Sequence, residues 1–164
     1  MSNRRTTLLG IGALSALAAG IRGWLSPAEA AQPARAYEVT HTEAEWRKLL
    51  TPEQYEVLRR AGTERPNSSP HDKEKREGTF ACAGCALPLF SSKTKFNSGT
   101  GWPSFWKPLD NAVGEVSDSS FGMQRIAVHC AQCGGHLGHV FDDGPRPTGL
   151  RYCMNGVSLK FTAA

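Results

Sequence analysis

The spacing of apolar positions along this chain changes period once, near residue 79. Before that point it is helical. Thr42-Glu43-Ala44-Glu45-Trp46-Arg47-Lys48-Leu49-Leu50 predicts a short helix with Thr42 as N-cap and Glu45 three residues on, a capping box. Thr51-Pro52-Glu53-Gln54 opens a second helix with Pro52 at its first position, Tyr55, Val57 and Leu58 turned inward, and Ala61-Gly62 at its end. The polar stretch 63–78, rich in Pro, Ser, Lys and Glu, reads as a surface loop. From Thr79 onward the chain becomes short runs between glycine-marked turns. Alternation over 112–116, 121–128 and 156–161, with strand-like pieces at 79–81, 87–90 and 95–96, predicts an antiparallel β domain behind two small helices.

The N-terminus does not fit that domain. Arg4-Arg5 precedes an apolar run over 8–19, followed by Pro27 and an A-x-A site at Ala28-Glu29-Ala30, which is the order of an export signal. The paired arginines resemble a twin-arginine signal, with Thr7 where an aromatic is usual. An ordinary secretory signal is the alternative. The run is short for a bilayer span, and Arg22 interrupts its end. The expected organisation is a signal peptide over 1–30, a flexible lead-in over 31–41 and one domain over 42–164. The protein is expected to be periplasmic or otherwise exported, meeting a membrane only during export. Setting aside Arg4, Arg5, Arg22 and Glu29 lowers the net charge from +4 to +2. So mild and dispersed a charge argues against a nucleic-acid partner.

Five cysteines give the domain its chemistry. Cys82 and Cys85 form one C-x-x-C and Cys130 and Cys133 another, a spacing that suits four thiolates around one structural Zn2+. Forty-four residues separate the two knuckles, so one ion would pin distant loops together. Two disulfides are the alternative. A redox C-x-x-C would normally open a helix in a βαβ setting, which the pattern lacks. Cys153, in Arg151-Tyr152-Cys153-Met154-Asn155, is then the available thiol. Arg151 adds positive potential expected to favour its thiolate. His136 and His139 can donate protons near neutral pH, Trp102 offers a flat apolar wall, and Asn155 can both donate and accept.

Asn97-Ser98-Gly99-Thr100-Gly101-Trp102-Pro103-Ser104-Phe105, Gly135-His136-Leu137-Gly138-His139-Val140-Phe141-Asp142-Asp143-Gly144-Pro145 and the Cys153 segment together resemble the motifs of the B-type methionine-R-sulfoxide reductases. The two knuckles match the zinc-containing members. The resemblance runs from about Thr42 to Phe161. It implies a mainly β fold, a Mss4-like β-tent of two antiparallel sheets with short N-terminal helices and a structural zinc site of four cysteines. It implies Cys153 as the nucleophile that becomes a sulfenic acid and Trp102 as the receiver of the S-methyl group. His136, His139 and Asn155 would handle the sulfoxide oxygen, with His139 as proton donor and Arg151 organising the site. The implied partners are oxidised proteins or peptides containing methionine R-sulfoxide and a thioredoxin-like or other thiol reductant.

The chain departs from the family at one place. Many members carry a resolving cysteine immediately before Gly-Trp-Pro, where this chain has Thr100. With four cysteines on a metal, the Cys153 sulfenic acid would have to be reset by an external thiol. The competing readings are a zinc-ribbon-like binding module, which leaves the Trp, double-His and Arg-Tyr-Cys groups unexplained, and a catalytically inactive adaptor. His129, beside the second knuckle, is expected to be structural, and His41 and His71 carry no signal.

Overall fold

The structure, a computed structural model, describes residues 36–164; the expected signal peptide lies outside the described residues. Local capping builds both helices. Helix α1 (Glu43–Leu49) starts at Thr42, whose hydroxyl accepts from Glu45 N while the Glu45 carboxylate accepts from Thr42 N. Helix α2 (Pro52–Arg60) repeats the device with Thr51 and Gln54 and ends on Ala61 in a left-handed conformation, φ 54°. Trp46 and Leu50, at the end of α1, and Tyr55, Val57 and Leu58 on α2 are buried. Residues 37–41, expected as a loose lead-in, lie against the second knuckle. Val39 N donates to Gln132 O at 3.1 Å, and a Cβ on Gly134 would meet the Tyr37 ring at 2.3 Å.

Two antiparallel sheets follow. The smaller is ordered β2-β1-β9, from β1 (Gly78–Cys82), β2 (Pro88–Ser91) and β9 (Leu159–Ala163). The larger is ordered β3-β4-β8-β7-β6-β5. Its members are β3 (Lys95–Phe96), β4 (Ser104–Phe105), β5 (Val113–Asp118), β6 (Arg125–Cys130), β7 (His136–Phe141) and β8 (Arg151–Met154). The expected two-sheet fold is therefore present. Three of its strands, β4, β7 and β8, do not show in the alternation. Residues 156–158, expected to open the last strand, form a 3-10 turn instead. Residues 120–122 do the same ahead of β6.

The sheets share one aromatic core. Phe80 and Phe90 of the small sheet pack on Phe105 of the large one, with Phe90 stacked on Phe105 at 4.4 Å and Phe80 edge-on at 5.1 Å. Leu89, Val128, Leu137, Met154 and Leu159 complete it, all buried.

The two C-x-x-C turns clamp that core at one end. They are built alike. Ala86 N donates to Cys82 O and Gly134 N to Cys130 O, both at 2.9 Å. Cys82 N donates to Leu87 O and Cys130 N to Gly135 O, both at 2.8 Å. Ala86 and Gly134, each just after the second cysteine, are left-handed at φ 64° and 69°. The four sulfurs converge within 4.8 Å of one another, with Cys82–Cys133 at 3.7 Å and Cys85–Cys130 at 3.5 Å. A tetrahedral four-thiolate ion with bonds of about 2.3 Å has sulfur–sulfur edges of about 3.8 Å, so these side chains fit a metal. Among the described residues this is the one such cluster of potential ligands. Removing the ion with a chelator, or one ligand by Cys130→Ser, is expected to lower the thermal unfolding midpoint by more than about 10 °C. Metal content and calorimetry check this, and an unchanged midpoint in both would show the clamp to be dispensable.

Candidate active site

Strand β8 places Cys153 in the middle of the large sheet, opposite Ser104 of β4 on one side and His139 of β7 on the other. Alternation sends Tyr152 and Met154 into the core, leaving Arg151 and Cys153 on the other face. The approach of β7 to β8 there is close. A Cβ on Gly138 would lie 2.1 Å from the Cys153 carbonyl oxygen, so only glycine fits beside the thiol.

A cavity of about 140 Å³ opens at Cys153, lined by Thr63, Trp102, Arg125, Gly138, His139, Phe141 and Asn155. Four of the expected site residues, Cys153, Trp102, His139 and Asn155, are thus brought together. His136 does not line the cavity. It is buried behind it, its ring 5.3 Å from that of His139. A bulge between β6 and β7, where pairing shifts at Val128/His129, brings these two histidines side by side despite their i, i+3 spacing. Neither ring nitrogen of His136 has a protein hydrogen-bond partner, and burial pushes its pKa down to about 4. It is therefore neutral at physiological pH.

His139 is oriented by a carboxylate. Its Nε2 lies 2.8 Å from Asp118 Oδ2, which also accepts from Arg125 Nη2 at 2.8 Å. Hydrogen bonds from Ser120, then from His139, hold the Asp118 carboxyl far below its usual range. An ionised Asp118 can only accept, so Nε2 carries a proton. Strand β5 supplies Asp118 and strand β6 supplies Arg125; neither stood out in the sequence.

Arg151 is anchored by a carboxylate. Its guanidinium makes a two-pronged pair with Asp143, Nε–Oδ1 and Nη2–Oδ2 both 2.8 Å, and stacks over Phe141 at 4.4 Å. Its charge does pull the Cys153 thiol toward ionisation, but burial outweighs it, and the thiol pKa is raised above the ordinary value. Arg151 thus favours the thiolate as expected, but desolvation wins, and Cys153 rests as a thiol.

Asn155 also carries more than one task. Its Oδ1 accepts from Glu64 N at 2.9 Å and its Nδ2 donates to Leu137 O at 3.1 Å, so both ends of the amide are engaged. Glu64 itself was missed, hidden in a stretch read as surface loop. Its backbone oxygen accepts from Trp102 Nε1 at 3.2 Å. Its carboxylate accepts from Gly156 N and, at 3.0 Å, from Val157 N. One residue therefore ties the Trp102 wall, the Asn155 amide and the turn after β8 together. Its partners lie 38 to 93 positions away, which is why no local pattern announced it.

A thiol in a side-chain-sized cavity, flanked by an indole and an oriented imidazole, thus stands on a two-sheet β fold that carries a separate cluster of four cysteines able to hold a metal. Residues 50–163 match the SelR domain family, and the chain belongs to it. It is 56% identical over 126 residues to the peptide methionine sulfoxide reductase MsrB of Leptospira interrogans, covering 76% of this chain and 96% of that protein. It is 58% identical over 125 residues to the protein of the same name from Pseudomonas putida strain W619, covering 76% and 94%. To that of Methanosarcina barkeri it is 56% identical over 124 residues, covering 75% and 87%.

Replacing Glu64 by Ala strands two backbone N–H groups and is expected to cost about 2 kcal/mol of stability in urea unfolding, with a raised KM as Trp102 loosens. A change below about 0.5 kcal/mol would show the clamp to be incidental. His136 gives a pH test. Its folded pKa of about 4 lies below the ordinary 6.5, so the fold disfavours its protonation. That contribution is absent above the unfolded value and grows as pH falls toward the folded one. Between pH 7 and pH 4 the parent should lose about 3 kcal/mol more stability than His136→Phe. Parallel losses would contradict the burial of a neutral imidazole.

Proposed function

We propose that the protein reduces methionine R-sulfoxide in oxidised proteins or peptides to methionine, with Cys153 as the single redox thiol. The observation that carries this is the placing of Cys153, Trp102, His139 and Asn155 around one small cavity, in a chain whose aligned 76% is 56% and 58% identical to two MsrB proteins. The S-methyl group packs on Trp102, and the oxygen faces His139 and the Asn155 amide. Neutral His136 supports the His139 ring. As the oxygen takes up a proton, its sulfur becomes electrophilic, and Cys153 attacks. The oxygen passes to Cys153, leaving a sulfenic acid and methionine.

The reset is external. One thiol condenses with the sulfenic acid to a mixed disulfide and releases water, and a second thiol frees Cys153. Thr100, its hydroxyl 3.9 Å from Cys153 Sγ, stands where a resolving sulfur would have to be, which supports a thioredoxin-like protein or small thiol as reductant. The four clustered cysteines suit Zn2+, whose closed tetrahedral thiolate shell is structural and supplies no chemistry to the reaction. Arg4-Arg5, the apolar run after them and Ala28-Glu29-Ala30 support export, by a twin-arginine or secretory route, and repair of oxidised proteins in that compartment.

Separate R and S epimers of a methionine sulfoxide peptide, given to the purified protein with a dithiol, test the reading. Reduction of the R epimer alone is expected, and Cys153→Ser should abolish it while metal content stays the same. Turnover of the S epimer alone, or near-normal turnover by Cys153→Ser, would overturn the assignment.

A further inference from the structure

Three hydroxyls form a row beside the reactive sulfur, outside the cavity lining. Thr100 Oγ1 is 3.9 Å from Cys153 Sγ, within sulfur's longer hydrogen-bond reach. Ser98 Oγ lies 2.8 Å from Thr100 Oγ1 and 2.8 Å from Ser104 Oγ. Ser104 Oγ donates to the Trp102 carbonyl at 3.1 Å. The row is rigidly placed. Ser104 is fully buried and opposes Cys153 across β4 and β8. Thr100 is bracketed by left-handed Gly99 and Gly101, φ 72° and 86°, and Gly101 O is held by Asn67 N at 2.7 Å.

Counting hydrogens gives the row a direction. A carbonyl oxygen can only accept, and each hydroxyl has one hydrogen to give. With Cys153 as a thiol, its hydrogen and the three hydroxyl hydrogens serve the four contacts in one sense, from sulfur through Thr100, Ser98 and Ser104 to the Trp102 oxygen. With Cys153 ionised one hydrogen is gone. Rotation of the Thr100 hydroxyl alone then turns its hydrogen onto the sulfur. Ser98 and Ser104 keep theirs, and Ser98 Oγ still receives the Thr100 N–H at 3.4 Å. The row can therefore accept from the thiol and donate to the thiolate, at the cost of one hydroxyl–hydroxyl contact.

We propose that Thr100 is a catalytic hydrogen-bond donor to the Cys153 sulfur, held in place by Ser98 and backed by the buried Ser104. This rests on the reductase reading and adds to it the group that stabilises the nucleophilic anion. Both Thr100 and Ser104 act on the thiol in that sense, opposing the effect of burial. The row gives up no proton, because it ends on a carbonyl. The net change converts Cys153–SH and the sulfoxide into Cys153–SOH and the thioether. A sulfur–oxygen bond forms at Cys153 as the substrate's breaks, the substrate sulfur is reduced as the Cys153 sulfur is oxidised, and the thiol proton ends on the oxygen now held by Cys153.

The test uses the metal-loaded protein. Alkylation of Cys153 by iodoacetamide is followed against pH by the mass of its peptide, and sulfenic acid formation is followed in a single turnover with the R-sulfoxide peptide. Thr100→Val keeps the shape and removes the hydroxyl. It should raise the alkylation midpoint and slow the single turnover at pH 7 roughly tenfold. Thr100→Ser should restore the midpoint, and Ser98→Ala should fall between. An unshifted midpoint in folded, metal-replete Thr100→Val overturns the proposal. If that variant does not fold, a parent-like midpoint in Ser98→Ala overturns it equally. Failure of the parent to reduce the R epimer would instead sink the reductase reading, while the alkylation midpoints would still decide the role of Thr100.

Discussion

Convergence of four sulfurs at one end of the core is the constraint on which the rest of the molecule leans. The first knuckle closes β1 of the small sheet and the second joins β6 to β7 of the large one. Holding them within 4.8 Å fixes the angle between the sheets and the start of β7. From there the register runs outward: His136 follows the second knuckle, the bulge after it brings His139 alongside, and His139 faces Cys153 across the ladder. A metal held by these four cysteines would thus govern the chemistry from a distance, because a closed thiolate shell is stiff and the strand leaving it has little freedom to slip.

What the sequence made legible follows physical range. Both helices were readable because capping boxes and a Pro at the first position act within three residues. The knuckles were readable because a metal turn has a fixed spacing, and the Trp, His and Cys positions were readable through resemblance. Strands β4, β7 and β8 were not, because they carry Ser, His, Gly, Arg and Cys at positions where alternation would ask for Val or Ile. The candidate site residues erase the pattern of the strands that hold them. Glu64 and Asp118 escaped notice for a different reason. Each gains its meaning from partners far along the chain, Glu64 from Trp102, Asn155 and Val157, and Asp118 from His139. Arg151 shows the limit of reasoning from charge alone. Its sign was right, but the balance with desolvation needs the burial of Cys153, which only the fold supplies.

That balance explains how a buried thiol can suit this chemistry. A resting thiolate is an exposed nucleophile and an easy target for oxidants, whereas the neutral form is much less reactive. Burial keeps Cys153 neutral, while Arg151 and the hydroxyl row of Thr100 and Ser104 narrow the cost of ionising it. Burial outweighs them at rest, and the groups that oppose it leave a reacting molecule room to tip the balance. In the proposed reaction a sulfoxide oxygen next to His139 would take up a proton in the same event that leaves the sulfur charged, and the Thr100 hydroxyl would need only to rotate to meet that charge. In the proposed reaction ionisation would thereby be coupled to the presence of an oxygen that can accept a proton, and a thioether, which lacks that oxygen, would meet a Cys153 that remains neutral.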